Sequence, residues 1–374
     1  MSKNQLLNTI RLGNILSYST EMTTLELDSL NVLIGTNASG KSNLIEILSL
    51  LAATPNDLLI PIREGGGVTD WLWKGSEKVS PIASIEVTLS YPESKQTLHY
   101  QLSFTNNHHR FELVDEAVMG KLTDTQVIYY AYQNGYPLLN TLIDAEQALR
   151  TQRQLQRRDV SIEQSILSQR READLYPELT YLANQFSQIR FYREWNLGRY
   201  TALRWPQKAD LPNDFLLEDA SNLGLMINQL QNNPQTKKQL LTQLQEFYEP
   251  IEDITTKTEG NTIQIFFHEQ GLRQPVPATR LSDGTLRYLC LLTILCHPKP
   301  PPLICIEEPE LGLHPDILPT IAPLLQSCAE RTQLIVTTHS DVIVDALTDT
   351  PESVVICEKE SRGTQFKRLN KTEL

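Results

Sequence analysis

At 374 residues, 40% hydrophobic and 21% charged, the chain has an ordinary globular composition, long enough for two or three average domains or one large α/β domain with an insertion. A net charge of −12 argues against a protein that coats nucleic acid with its whole surface, while leaving room for a local basic face. Cys290, Cys296, Cys305, Cys328 and Cys357 never pair as C-x-x-C, which speaks against a zinc site or a disulfide framework and for the buried, reduced thiols of a cytoplasmic protein. The start has no signal-peptide core, and no apolar run approaches the ~20 residues that span a bilayer, so no membrane is expected.

Residues 10–18 and 24–27 alternate as two strands. An apolar run from Leu30 to Ile34 then leads into GTNASGKS at residues 35–42, followed by Leu44, Ile45, Ile47, Leu48 and Leu51 at helical spacing. The octapeptide fits G-x-x-x-x-G-K-[ST] in the context of a phosphate-binding loop, strand before and helix after. Gly35 and Gly40 let the backbone curl so that the N–H groups of Asn37, Ala38, Ser39 and Gly40 point inward at a helix N-terminus, whose dipole favours anions. Lys41 would reach the β and γ phosphates and the Ser42 hydroxyl would ligate magnesium. The loop alone does not separate a kinase, a GTPase, a transporter motor and a DNA-associated ATPase.

After Pro55, PIREGGGVTDWLWKG reads as a loop near the nucleotide with Trp71 and Trp73 looking outward, or as a plain connector with two anchoring tryptophans. Between 83 and 132, IEVTL, LHYQLSF, RFELVDEAV and VIYYAY form an antiparallel meander. From 139 to 248 the signals are helical. Arg150, Arg153 and Arg157 would share one helix face, either as a stripe for DNA phosphates or as a solvated face beside Asp159 and Glu163. FYREWNLGRYTALRWP mixes Arg193, Arg199 and Arg204 with Tyr192, Trp195, Tyr200 and Trp205, a nucleic-acid signature that equally suits a packed interface. Strands resume after Glu249.

The remaining chemistry comes in one block. RLSDGTLRYLCLLTILC places Ser282 and Gly284 at the N-terminus of a buried helix, where hydroxyl, backbone N–H and dipole can face a phosphate. PPPLICIEEPELGLHP is a buried strand ending in Glu307, able to hold a water on magnesium, and Glu308, able to polarise the water that attacks the γ phosphate. TQLIVTTHSDVIVDAL gives another strand with His339 just past its C-terminal end, where a γ-phosphate sensor belongs.

GTNASGKS, LSDGT, ICIEEPE with LGLHP behind it, and TTHS resemble, in order, the Walker A, signature, Walker B, D-loop and switch-histidine motifs of ABC-type ATPases, most closely the RecF, SMC and OLD-like branch of AAA-family proteins. The resemblance implies an α/β fold: an ABC-type P-loop ATPase head with a mixed sheet, a flanking antiparallel β-meander and a helical insertion. The head would comprise 1–138 and 249–374, with the insertion at 139–248. It also implies ATP hydrolysis with magnesium, and a homodimer on ATP binding in which Ser282 and Gly284 of one copy close over the nucleotide of the other and Leu313 and His314 lie at the seam. Glu307 stands where the family has aspartate, and no Q-loop glutamine is evident. OLD-like relatives often carry a C-terminal TOPRIM nuclease, but about 35 residues follow His339, so a nuclease would be a partner. The expected function is an ATP-driven switch on DNA or on a DNA-processing partner in repair or phage defence. The alternatives are a transporter motor subunit and a nucleotide-dependent scaffold for a partner nuclease or toxin.

Overall fold

The computed structural model describes residues 5–75, 81–92, 96–122, 125–133, 136–144, 149–156 and 159–370, and the chain forms two compact units. The first comprises Lys3–Ile189 and Glu352–Leu374; the second is Arg190–Pro351.

The first unit holds the meander. Among the described residues it runs, strand by neighbouring strand, Thr23–Glu26, Leu7–Gly13, Ala83–Tyr91, Gln96–Asn107, Arg110–Leu122, Thr125–Gln133, Tyr136–Asp144 and Leu149–Gln154, all antiparallel. Its logic is period two: Ala83, Ile85, Val87, Leu89 and Tyr91 are buried and alternate with Ser84, Glu86, Thr88 and Ser90. The buried face takes the helix Pro177–Ser187, whose Phe186 meets Tyr100 edge-on at 5.5 Å. A separate parallel pair joins Leu30–Ile34 to Val354–Glu360, which turns back into the strand Gly363–Arg368.

Three expectations are corrected here. Residues 139–154 complete the meander instead of opening a helical insertion: Leu139 is fully buried, and Tyr136–Asp144 and Leu149–Gln154 pair with each other. The Leu, Gln and Arg content favours helix locally, but cross-strand burial overrides propensity. The arginine stripe fails for the same reason, since Leu149–Gln154 is a strand, on which a spacing of three and four does not form one face. Arg150 is instead tied to Glu178 at 2.5 Å and lies over the Tyr129 ring at 4.8 Å, while Arg157 lies outside the described residues. Third, Trp71 does not look outward; it is buried at the end of the short helix Val68–Trp71.

Behind the sheet one carboxyl group is fully enclosed. Glu116 accepts hydrogen bonds from the Tyr100 hydroxyl at 2.8 Å, the Ser165 hydroxyl at 2.5 Å and the Ile166 N–H at 2.9 Å. Burial pushes its carboxyl up to about 7, partly opposed by those same donors.

In the second unit, Arg190–Tyr192, Leu303–Glu307 and Gln333–Thr337 lie parallel. Leu303 to Ile306 and the whole of Gln333–Thr337 are buried, the near-continuous apolar pattern of strands covered on both faces. The helix Asp283–Leu295 is buried almost throughout from Leu286, and it contacts the helix Leu318–Ala329. Ile251–Glu259 and Thr262–Glu269 form a hairpin extended by Gln207–Lys208 and backed by the helices Leu223–Gln231 and Pro234–Phe247. The Arg193 to Trp205 island divides: Tyr192, Trp195 and Arg204 are buried, whereas Arg199, Tyr200 and Trp205 are exposed.

Candidate active site

In the first unit, Leu30–Ile34 delivers the chain to a loop that only glycine can begin and end. Gly35 has φ 149° and Gly40 φ 102°; a Cβ on Gly35 would run into the Cys357 carbonyl, and one on Gly40 into the Thr364 and Ser17 hydroxyls. Ala38 is also left-handed, φ 62°. Thr36, Asn37, Ala38 and Ser42 are exposed, whereas Ser39 and Lys41 are buried. The helix Lys41–Ala53 has no side-chain cap and no acidic residue in its first turn, so its N–H groups stay open to an anion. Lys41 folds onto the loop's own carbonyls, its Nζ donating to Gly35 at 2.7 Å and Thr36 at 3.2 Å. The Ser39 hydroxyl is buried and has no hydrogen-bond partner among the described residues. An uncapped helix start, a lysine resting on exchangeable acceptors and a left-handed backbone together fit a polyphosphate.

The loop is held from behind by residues that carry no motif. Thr364 donates to the Ser39 carbonyl at 2.9 Å and meets the Ser17 hydroxyl at 2.8 Å, and the Tyr18 hydroxyl donates to the Gly40 carbonyl at 3.1 Å. Gly40→Ala would place a Cβ among these groups at a left-handed φ. We expect it to destabilise the fold by about 1–2 kcal/mol from conformation alone and to weaken ATP binding at least about tenfold, read by thermal unfolding and nucleotide titration. An unchanged melting temperature with unchanged affinity would refute this.

In the second unit Glu307 is the last residue of Leu303–Glu307, paired in register with Thr337. Glu308 turns to φ 45°, an uncommon conformation for a carboxylate-bearing residue, fixed by its N–H donating to the Thr337 carbonyl at 2.9 Å. That turn brings Glu308 Oε1 to 3.6 Å from His339 Nε2, both side chains partly exposed. Glu310, which sequence reasoning left without a role, sets the histidine's backbone: its Oε1 accepts from the His339 N–H at 2.7 Å and from the Thr338 hydroxyl at 2.8 Å.

Ser282 caps the helix Asp283–Leu295, its Oγ accepting from the Thr285 N–H at 3.0 Å. Gly284, the second residue of the helix, faces the Gly312 carbonyl, which a Cβ would meet at 3.2 Å. The turn is braced by buried Arg204, which donates to the Leu197 and Leu281 carbonyls at 2.9 and 2.6 Å and pairs with Asp283. Arg204 therefore does packing work in the basic-aromatic island. Within the units, then, Asn37, Ala38, Ser39, Gly40, Lys41 and Ser42 share one loop, Glu307, Glu308 and His339 gather at two neighbouring strand ends, and Ser282 and Gly284 sit on a separate helix start. All five cysteines are buried, and burial lifts the Cys357 thiol to about 12 despite the Lys41 ammonium. Among the described residues no helix is long and apolar enough to cross a membrane.

The fold is that of SMC head domains. Solved structures bear out the fold: an Smc head bound to the C-winged helix domain of ScpA is 12% identical at TM-score 0.59, covering 98% of this chain and 99% of that one. An Smc head with an extended coiled coil, bound to the C-terminal domain of ScpA and derived from Pyrococcus furiosus, is 10% identical at TM-score 0.57, covering 98% and 97%. The chain belongs to the AAA family described as "AAA domain, putative AbiEii toxin, Type IV TA system", which matches residues 30–345. No curated protein matches it.

Proposed function

We propose that this AAA-family ATPase hydrolyses ATP with magnesium and that ATP-driven pairing of two heads acts as a switch on DNA or on a DNA-processing partner. The observation that carries the hydrolytic reading is the Glu308–His339 pair, a carboxylate set by a left-handed turn 3.6 Å from an imidazole at adjacent strand ends. In this reading Lys41 exchanges the Gly35 and Thr36 carbonyls for the β and γ phosphates, and the loop amides from Asn37 to Gly40 bind phosphate oxygens. Ser42 and Glu307 would hold magnesium, which supplies charge neutralisation on the phosphates. Glu308 accepts the proton of the water whose oxygen attacks the γ phosphorus, the bond to the ADP oxygen breaks, and His339 donates a hydrogen bond to the departing phosphate. Ser282 and Gly284 of a second copy would close over the nucleotide, with Leu313 and His314 at the seam.

The family description supports a role beside a toxin or other effector, and the ScpA-bound heads support a protein partner. For DNA, the exposed Arg199, Tyr200 and Trp205 are the candidates that remain after Arg150 is accounted for by Glu178. Phosphate release by the purified chain with ATP and magnesium, alongside light scattering with and without ATP, tests the proposal. A chain that neither turns over ATP nor changes mass with it would end it. Arg199→Glu with Tyr200→Ala should weaken DNA binding and flatten its salt dependence; unchanged binding removes this surface.

A further inference from the structure

A cavity of about 280 Å³ in the first unit has no part in the phosphate-loop chemistry. It opens between the helix Leu59–Glu64, the glycines after it, and the hairpin that joins Gln96–Asn107 to Arg110–Leu122. Ile62, Val68 and Phe111, all buried, give it an apolar floor. Its rim carries Arg63, His109 and Arg110, faced by the single acid Glu163.

What marks the cavity is the state of its two arginines. Other described guanidinia of this unit are engaged: Arg11 with Glu86, Arg150 with Glu178, Arg368 with the carbonyls of Glu26 and Glu352. The guanidinium groups of Arg63 and Arg110 make no hydrogen bond or ion pair with any of the described residues. In a chain with 45 acidic against 33 basic residues, two guanidinia that pair with none of the described residues border one apolar-floored cavity, a setting whose donors suit an anion. Against the single carboxylate of Glu163 the two guanidinia leave the cavity net positive, and their several N–H donors can engage more than one oxygen of a phosphate. The apolar floor suits a flat ring, and Glu163 offers an acceptor to an exocyclic amine. The volume is near the lower end for small-ligand sites, roughly 300 Å³, which suits one nucleotide-sized body.

We propose that this cavity binds a nucleoside monophosphate unit, its phosphate between Arg63 and Arg110 and its base on Ile62, Val68 and Phe111. The unit can arrive as a free mononucleotide or as the 5′-phosphorylated end of a nucleic-acid strand, and the two are told apart by titration.

The full chain, with a non-hydrolysable ATP analogue and magnesium present, is titrated with AMP and with a pentanucleotide carrying either a 5′-phosphate or a 5′-hydroxyl. At least one phosphate-bearing probe should bind, and Arg63→Gln and Arg110→Gln should each weaken it about tenfold or more, as should removal of the 5′-phosphate. AMP binding alone identifies the free nucleotide; pentanucleotide binding alone identifies the strand end. Both arginines are exposed, so unchanged thermal unfolding of the variants shows that the fold is intact. Lys41→Ala should leave this binding as it is, which separates the cavity from the phosphate loop. Absence of binding below millimolar by every phosphate-bearing probe, or binding that ignores both arginines, or binding lost in Lys41→Ala, overturns the proposal without touching the ATPase reading.

Discussion

Glu308→Gln is expected to lower ATP turnover by about 10²- to 10⁴-fold while leaving ATP affinity within a few-fold of the native chain. The amide matches the carboxylate in size, and the turn at φ 45° is held by a backbone hydrogen bond to Thr337, so the change removes proton affinity and charge but not position. Because the nucleotide then persists, the ATP-linked dimer should accumulate and be visible by light scattering. His339→Gln should lower turnover less, since it removes a hydrogen-bond donor and not the proton acceptor. Single-turnover phosphate release in the three proteins is the measurement; a Glu308→Gln rate equal to the native one would assign the attacking water to another residue.

The second large effect concerns stability. Glu116 has its carboxyl raised from 4.5 to about 7 by burial, so between those values the folded chain holds a proton that the unfolded chain has released. Stability therefore falls as pH rises through this window: the favourable contribution is complete below about 4.5 and lost above about 7. The difference of 7 − 4.5 pH units corresponds to about 3 kcal/mol. Glu116→Gln removes the titration and keeps the shape, with its carbonyl facing the Ile166 N–H and its amide donating to the Tyr100 and Ser165 oxygens. Denaturant unfolding at pH 5 and pH 8 should thus show the variant gaining on the native chain by about 3 kcal/mol between the two. Parallel pH profiles would show that ionised Glu116 is fully compensated where it sits.

The phosphate-type loop, the serine-capped helix start and the carboxylates at the strand end were legible because their signals are local. A glycine-bounded octapeptide between Leu30–Ile34 and Lys41–Ala53, a serine cap on Asp283–Leu295 and two carboxylates after Leu303 to Ile306 each declare themselves within about ten residues. What escaped was non-local. Thr364 reaches Ser39 and Ser17 across 325 and 347 residues, with no pattern at either end to announce it. Leu149–Gln154 looks helical by composition and becomes a strand because Tyr136–Asp144 is there to pair with it. Glu310 was overshadowed by its two acidic neighbours, and only the loop geometry reveals that its oxygen holds the His339 backbone. Trp71 illustrates the same limit, since the flanking glycines suggested an outward turn, whereas the ring is buried and the backbones of Trp71 and Trp73 bond to the distant Leu16 and Asn14.

The Thr364 contact also sets a timetable for biosynthesis. Its partner Ser39 leaves the ribosome 325 residues earlier, which at about 5–20 residues per second is a lag of roughly 15–65 s. Throughout that interval the Ser39 and Gly40 turn lacks the hydroxyl that braces it, and the strand Val354–Glu360 that flanks Leu30–Ile34 does not yet exist. The loop at residues 35–42 is thus completed only after some 325 further residues have been made, long after its own synthesis.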